Sequence, residues 1–246
     1  QGDDLVEKEV QDRDPRLRQT IYQKGDPRVI VNGQVSGSFT VPDMTYDSRL
    51  RNTTGYQLYK GCDPAAVHEG GYITASIIFR YAEVLCNYAE AKAELGECSQ
   101  NDLDISVNQL RDRVDMPHMT VDVGFIDPRW DFPELSPLLN EIRRERRVEF
   151  ACEGYRFDDL MRWAAVNLIK RPMLGAKMKQ FADIKDQFKP VLDPSAIPVS
   201  DAGYIAPHWN SPAKNGWQFD EKKNWLKPLP SNELVLNSNL EQNPGY

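Results

Sequence analysis

Between residues 73 and 96 the apolar positions recur at intervals of three and four, the period of a helix face. Ile78, Tyr81, Leu85, Tyr88 and Leu95 make a bulky stripe, and Ala82, Cys86, Ala89 and Ala93 make a second stripe of small residues. Arg80, Glu83, Asn87, Glu90 and Glu94 are left for the solvent side, and Gly96 suits the stop. Two apolar stripes predict packing on two sides. Such a helix belongs inside a stacked array, where small residues let a neighbour approach closely.

A second helix is expected over about 104–115, capped by Asp102 or Asp104, with Val107, Leu110 and Val114 inward. The pair has the length of a tetratricopeptide unit. The stretch from Pro117 to Pro137 reads as a loop carrying Trp130. A third helix is predicted from Ser136 to Glu153, broken at Gly154, and a fourth over 156–169, with a further helix near 173–188. Residues 1–70 carry turn signals and short β-branched runs such as Val29–Val31, and read as an irregular lobe. Residues 71–189 hold the helical pairs. Residues 190–246, rich in Pro, Asn, Gly and Trp, read as a structured tail. The fold class is therefore mainly α, with tetratricopeptide-like helical pairs, long irregular loops and a C-terminal tail.

Charge narrows the partners. Across 246 residues, 37 acidic side chains outnumber 30 basic ones, for a net charge of −7, which argues against a dedicated nucleic-acid binder. No apolar run reaches the roughly 20 residues of a membrane span. The four cysteines, Cys62, Cys86, Cys98 and Cys152, show no CxxC spacing. Cys86 and Cys152 sit in helical patterns as buried thiols, and a Cys62–Cys98 disulfide stays open.

The densest chemistry lies in IRRERRVEFACEGYRFDDLMRW (142–163). Leu138, Ile142, Glu145, Glu149 and Cys152 share one helix face. A glycosidase needs two carboxylates facing each other across a cleft, not a ladder on one helix. A helical di-iron site needs Glu-x-x-His, and His68, His118 and His208 all fall in loops. DRDPR (12–16) lacks the glycine and distal glutamate of a calcium loop, so Asp12 and Asp14 read as turn formers. No serine elbow, Walker loop or GxGxxG occurs. Neither metal nor cofactor is expected. The charges read as scaffolding: Arg146, Arg147, Glu149, Glu153, Arg156, Asp159 and Arg162 tie one helical pair to the next.

That stretch, together with FRYAEVLCNYAEAKAELGE (79–97) and NWLKPLPSNELVLNSNLEQNPGY (224–246), resembles the SusD/RagB family of nutrient-binding outer-membrane lipoproteins. RDPRL (13–17) and TGYQLYKGCDP (54–64) resemble its central segment. The resemblance implies non-catalytic capture of oligosaccharides at the cell surface and delivery to a SusC-like TonB-dependent transporter. It implies attachment to the outer membrane only through a lipid anchor, in an N-terminal half that has no counterpart here. Peptide uptake of the RagB kind and a tetratricopeptide-type interaction scaffold are the alternative readings.

Six aromatics stand in loops among polar residues: Tyr46, Tyr56, Trp130, Tyr204, Trp209 and Trp217. An aromatic face beside hydrogen-bonding groups suits a sugar's apolar ring face and hydroxyl rim. The expected ligand surface is Trp130, Tyr56, Trp209 and Trp217, then Tyr46. Trp130 leads because Arg129 and Asp131 flank a ring expected to face solvent. Anchoring in a local mini-core is the competing role for each. Helix aromatics such as Tyr81 and Tyr88 are expected to be committed to packing. In the tail, Trp225, Leu226, Leu229, Leu234, Leu236 and Leu240 are expected to be buried along the helices.

Overall fold

The structure, a computed structural model, describes residues 2–45, 51–66 and 77–246. The chain begins with two short helices, α1 (Val6–Glu9) and α2 (Pro15–Thr20). Asp14 caps α2 by accepting the Arg16 backbone N–H at 2.9 Å. Pro15 takes the first helical position, where no backbone donor is needed. An antiparallel hairpin follows, β1 (Pro27–Val31) and β2 (Gln34–Ser38). It turns at Asn32 and Gly33, both at positive φ, as a tight two-residue turn requires.

The helical region is built on α3 (Tyr81–Glu94), α4 (Gln100–Asp104), α5 (Val107–Asp112) and α6 (Pro137–Glu149). α3 packs against both α5 and α6. It does so through the small stripe: Ala82, Cys86 and Ala89 are buried. The bulky stripe does not pack as expected. Leu85 is buried, but Ile78, Tyr81 and Leu95 are 77%, 68% and 69% exposed, and Tyr88 is also exposed. Close helix approach needs the small face, so the large side chains are turned away.

The polar row expected to face solvent also departs from expectation. Glu90 is 4% exposed, and Arg80, Glu83 and Asn87 all bond to groups on or just beyond α6. A helical period marks a polar row, but not whether that row meets water or a complementary charged row. The helix start at 73 is revised as well: 73–76 lie outside the described residues, and Arg80 is extended, at φ −120° and ψ 145°.

Ser99, rather than Asp102 or Asp104, caps α4, and Asp102 completes a reciprocal capping box from the third helical position. Val107, Leu110 and Val114 are buried as expected. α6 ends at Glu149, and the chain reverses through Cys152 and Gly154, at φ 64° and 92°. The expected fourth helix is two pieces, α7 (Tyr155–Arg162) and α8 (Val166–Ile169), parted at Ala164, whose φ of 51° cannot continue a right-handed helix. The expected helix near 173–188 is reduced to α9 (Lys179–Ala182) and one 3-10 turn at Lys185–Gln187.

A second core has little regular structure. Met44, Ala176, Met178, Phe181, Phe188, Leu192, Ile197 and Ile205 pack together, with Val6, Val41 and Tyr56 at the edge. Distant loops thus share one apolar centre.

The last helix is α10 (Ser231–Leu236). Burial of the tail leucines is corrected here: Leu226, Leu236 and Leu240 are 52%, 81% and 40% exposed, while Trp225, Leu229 and Leu234 are half-buried. The tail closes on itself through polar bonds instead. Gln242 exchanges two bonds with the Leu229 backbone at 2.8 and 3.0 Å, and the Asn243 amide donates to the Lys227 carbonyl at 2.6 Å. All four cysteines are free. Cys62 and Cys98 are not joined, and Cys152 is exposed rather than buried. Burial holds the Cys86 thiol up at about 12.

Candidate ligand-binding cleft

The charged stretch at 142–163 forms a lattice of ion pairs. Glu149, with a side chain 2% exposed, accepts from Arg16 at 3.1 Å, Arg80 at 2.8 Å and Arg113 at 2.8 Å. Glu145 accepts from Arg16 at 2.5 Å and Arg111 at 2.8 Å. Arg146 spans both oxygens of Asp159 at 2.8 Å. Arg162 grips Glu90 at 2.8 and 2.6 Å, and Arg80 and Lys60 share Glu153. Both oxygens of Glu145 and of Glu149 are taken by guanidinium groups, so neither is presented as an acid, base or nucleophile. Burial by itself would raise the Glu149 pKa. Hydrogen bonds from Arg80 and Arg16, with the charge of Arg113, outweigh it and hold the group below its ordinary value.

Chemistry of a different kind is offered by a cleft of about 210 Å³ beside the irregular core. Its walls include Met44, Arg51, Asn52, Thr53, Pro198, Trp209 and Asn210. Short extended segments hold it in place. The Ala176 N–H donates to Thr54 O at 2.8 Å, and Ile205 exchanges backbone bonds with Gly175 and Ala176. A side chain at Gly175 would put its Cβ 2.1 Å from Thr54 O, so this close approach of two loop segments requires glycine.

Asn52 is wholly occupied in shaping the wall. Its oxygen accepts the Thr54 and Gly55 N–H groups at 3.1 and 2.7 Å, and its amide donates to Tyr56 O at 2.8 Å. Arg51 and Thr53 on either side remain exposed. Trp209, 52% exposed, also lines the cleft, with Asn210 exposed beside it. An aromatic face is thus set among a guanidinium, a hydroxyl and an amide.

Trp217 belongs to the same loop. It is 52% exposed, and its ring lies 5.4 Å from that of His208 at a tilt of 56°. Gly216 fixes the loop: at φ 98° it lies so close to Lys170 that an added Cβ would be 1.7 Å from the carbonyl oxygen.

The other expected contacts are placed differently. Tyr56 is half-buried in a separate groove of about 280 Å³ with Tyr22, Phe39 and Phe181, and its hydroxyl donates to Glu9 at 2.8 Å. Tyr46 lies outside the described residues, in the segment between Met44 and Arg51. Tyr204 is half-buried, and its hydroxyl bonds Asp3.

Trp130 corrects the expectation of a ring open to solvent. It is buried, packs 5.9 Å from Phe125 and donates its indole N–H to Glu141 at 2.6 Å. Its neighbour Asp131 is committed to Arg147, Arg156 and Arg171. An indole N–H that finds a buried acceptor turns the ring inward.

Sequence reasoning passed over Arg51, Thr53 and Asn210. Their one signal is the polar run RNTT (51–54) before Gly55 and Tyr56. Among the described residues no group of three His, Cys, Asp or Glu side chains is placed to hold a metal ion. Among them, too, no helix is long and apolar enough to cross a membrane.

The fold is thus helical pairs joined by buried ion pairs, with an aromatic cleft carried on loops. The chain belongs to the SusD family, whose profile matches residues 1–246. It is 31% identical over 179 residues to SusD-like protein P2 of Formosa agariphila, a match covering 70% of this chain and 26% of the relative. SusD-like protein P38 of the same organism is 37% identical over 102 residues, covering 42% of this chain and 20% of the relative. The solved structure of a SusD-like protein from Bacteroides fragilis superposes with a TM-score of 0.61 at 25% identity, covering 96% of this chain and 40% of that one. The matched stretches therefore span well under half of these relatives' lengths.

Proposed function

We propose that this chain is part of a non-catalytic cell-surface protein that captures oligosaccharides and passes them to a SusC-like TonB-dependent transporter in the outer membrane, to which it is held by a lipid anchor. Membership of the SusD family supports this reading, since its members are generally glycan-binding lipoproteins that work with SusC. The observation that carries it is the Trp209 cleft. An exposed indole face with Arg51, Thr53 and Asn210 around it matches the apolar face and hydroxyl rim of a pyranose. Trp217 extends the aromatic surface on the same loop, and Tyr56, in its own groove with Tyr22 and Phe39, offers a separate aromatic contact. Trp130 serves as support for its loop.

Calorimetric titration of the full-length protein against plant, host and microbial oligosaccharides tests this. Trp209→Ala is expected to weaken saccharide binding by at least about tenfold, since buried aromatic anchors dominate such interfaces, with the melting curve unchanged. Binding of peptides and of no saccharide would instead favour peptide uptake.

A further inference from the structure

A cleft of about 790 Å³ runs between α2, the loop before α6 and the outer face of α6. That is within the range of roughly 300–1,000 Å³ usual for ligand sites. Arg13, Arg16, Arg129, Arg144 and Arg147 line it, with the carboxylates of Asp14 and Asp127. The chain as a whole carries a charge of −7, so this face runs against the average.

The arginines here are short of counter-charge. Asp131 alone serves Arg147 at 3.0 Å, Arg156 at 3.4 Å and Arg171 at 2.7 Å. Asp127 serves both Arg144 at 2.6 Å and Arg129 at 3.8 Å. Arg144 also reaches Glu141 at 3.0 Å, an acceptor already shared with the Trp130 indole. Among the described residues five guanidinium groups thus lean on three carboxylates, with Arg156 and Arg171 beside the cleft rather than in its lining. The side chains of Arg129 and Arg147 are 88% and 57% exposed, so their donors are open to a ligand. This differs from the lattice around Glu145 and Glu149, where both carboxylates are enclosed and fully paired.

We infer that this cleft binds the anionic groups, carboxylate or sulfate ester, of a charged oligosaccharide. A guanidinium presents two parallel N–H donors matched to two oxygens of such a group. Exposed arginines sharing too few carboxylates gain most from an added anion, because no existing pair has to be broken. The inference rests on the saccharide-capture reading and adds the charge class of the ligand.

The test is calorimetry on the full-length protein, wild type and Arg129→Ala/Arg147→Ala. The titrants are a uronic-acid oligosaccharide, a sulfated oligosaccharide, its desulfated form and inorganic sulfate. Expected is tighter binding of the charged chains than of the desulfated one. That preference should be lost in the double variant and should fade between about 50 mM and about 500 mM salt. Arg129→Ala alone, which gives up only the loose contact to Asp127, keeps the test valid if the double variant folds poorly. Equal affinity for charged and desulfated chains would overturn this inference and leave saccharide capture standing. Failure of every saccharide would overturn both. Tight binding of inorganic sulfate with no preference among the oligosaccharides would reduce the cleft to a simple anion site and also overturn it.

Discussion

Arg80, at the extended start of α3, donates to Glu149 at the end of α6 at 2.8 Å, and the same guanidinium takes both oxygens of Glu153 at 2.7 and 2.8 Å. One side chain thus ties two helices and the turn after them. Arg16, from α2, meets the same Glu149 from another direction at 3.1 Å, so three segments far apart in sequence converge on one carboxylate.

Glu149→Gln should therefore unsettle the whole lattice. Removing one partner of a buried ion pair costs roughly 3–5 kcal/mol, and here Arg16, itself buried, would lose part of its compensation. Chemical denaturation is expected to show a loss of that size, with saccharide affinity of the folded fraction unchanged. A fully stable variant would show that the lattice does not hold the helices together.

Acid should act on the same group. Glu149 titrates below its ordinary value when folded, while the unfolded chain titrates near about 4.3. Its contribution is thus fully present above the unfolded value and is lost as pH falls through the folded one. Asp14 has the same sign: burial raises it, but hydrogen bonds from Arg16 outweigh this and lower it. Glu9 has the opposite sign, held up by burial against the bond from Tyr56, and offsets part of the loss. Melting temperature is expected to fall below about pH 4.3, and to fall less steeply in Glu149→Gln than in the wild type. Parallel curves would assign the acid loss to other groups.

Ala89 is fully buried where α3 meets its neighbours. Ala89→Leu is expected to cost about 1–3 kcal/mol by overpacking a close helix contact, read as a drop in denaturation midpoint. Tyr81→Ala, on the exposed face of the same helix, serves as the contrast and should change this chain's stability by less than about 0.5 kcal/mol.

Gly216→Ala probes the loop that carries Trp209 and Trp217. The added Cβ would meet Lys170 O at 1.7 Å on a backbone at φ 98°, so the loop must shift. The expected outcome is weaker saccharide binding, by at least about tenfold, together with lost tryptophan fluorescence change on titration. Unchanged binding would place the ligand away from this loop.

What the sequence determined by itself was whatever depends on near neighbours. The helix around residues 81–94, its small buried stripe, the inward Val107, Leu110 and Val114, and the supporting role of the charged run at 142–163 all follow from spacing and residue type. So did the family, because its motifs are contiguous stretches. Tertiary structure alone decided what each face meets. Glu90 lies on a polar row that could equally have faced water, and only the arrival of Arg162 from a distant segment buries it. Trp130 and Trp209 look alike in sequence, each in a polar loop. Glu141, in the helix that directly follows, draws the first indole inward, whereas among the described residues no bond of this kind draws in the second, which stays on the cleft wall. Those outcomes depend on contacts between elements, and such contacts leave no period in the chain.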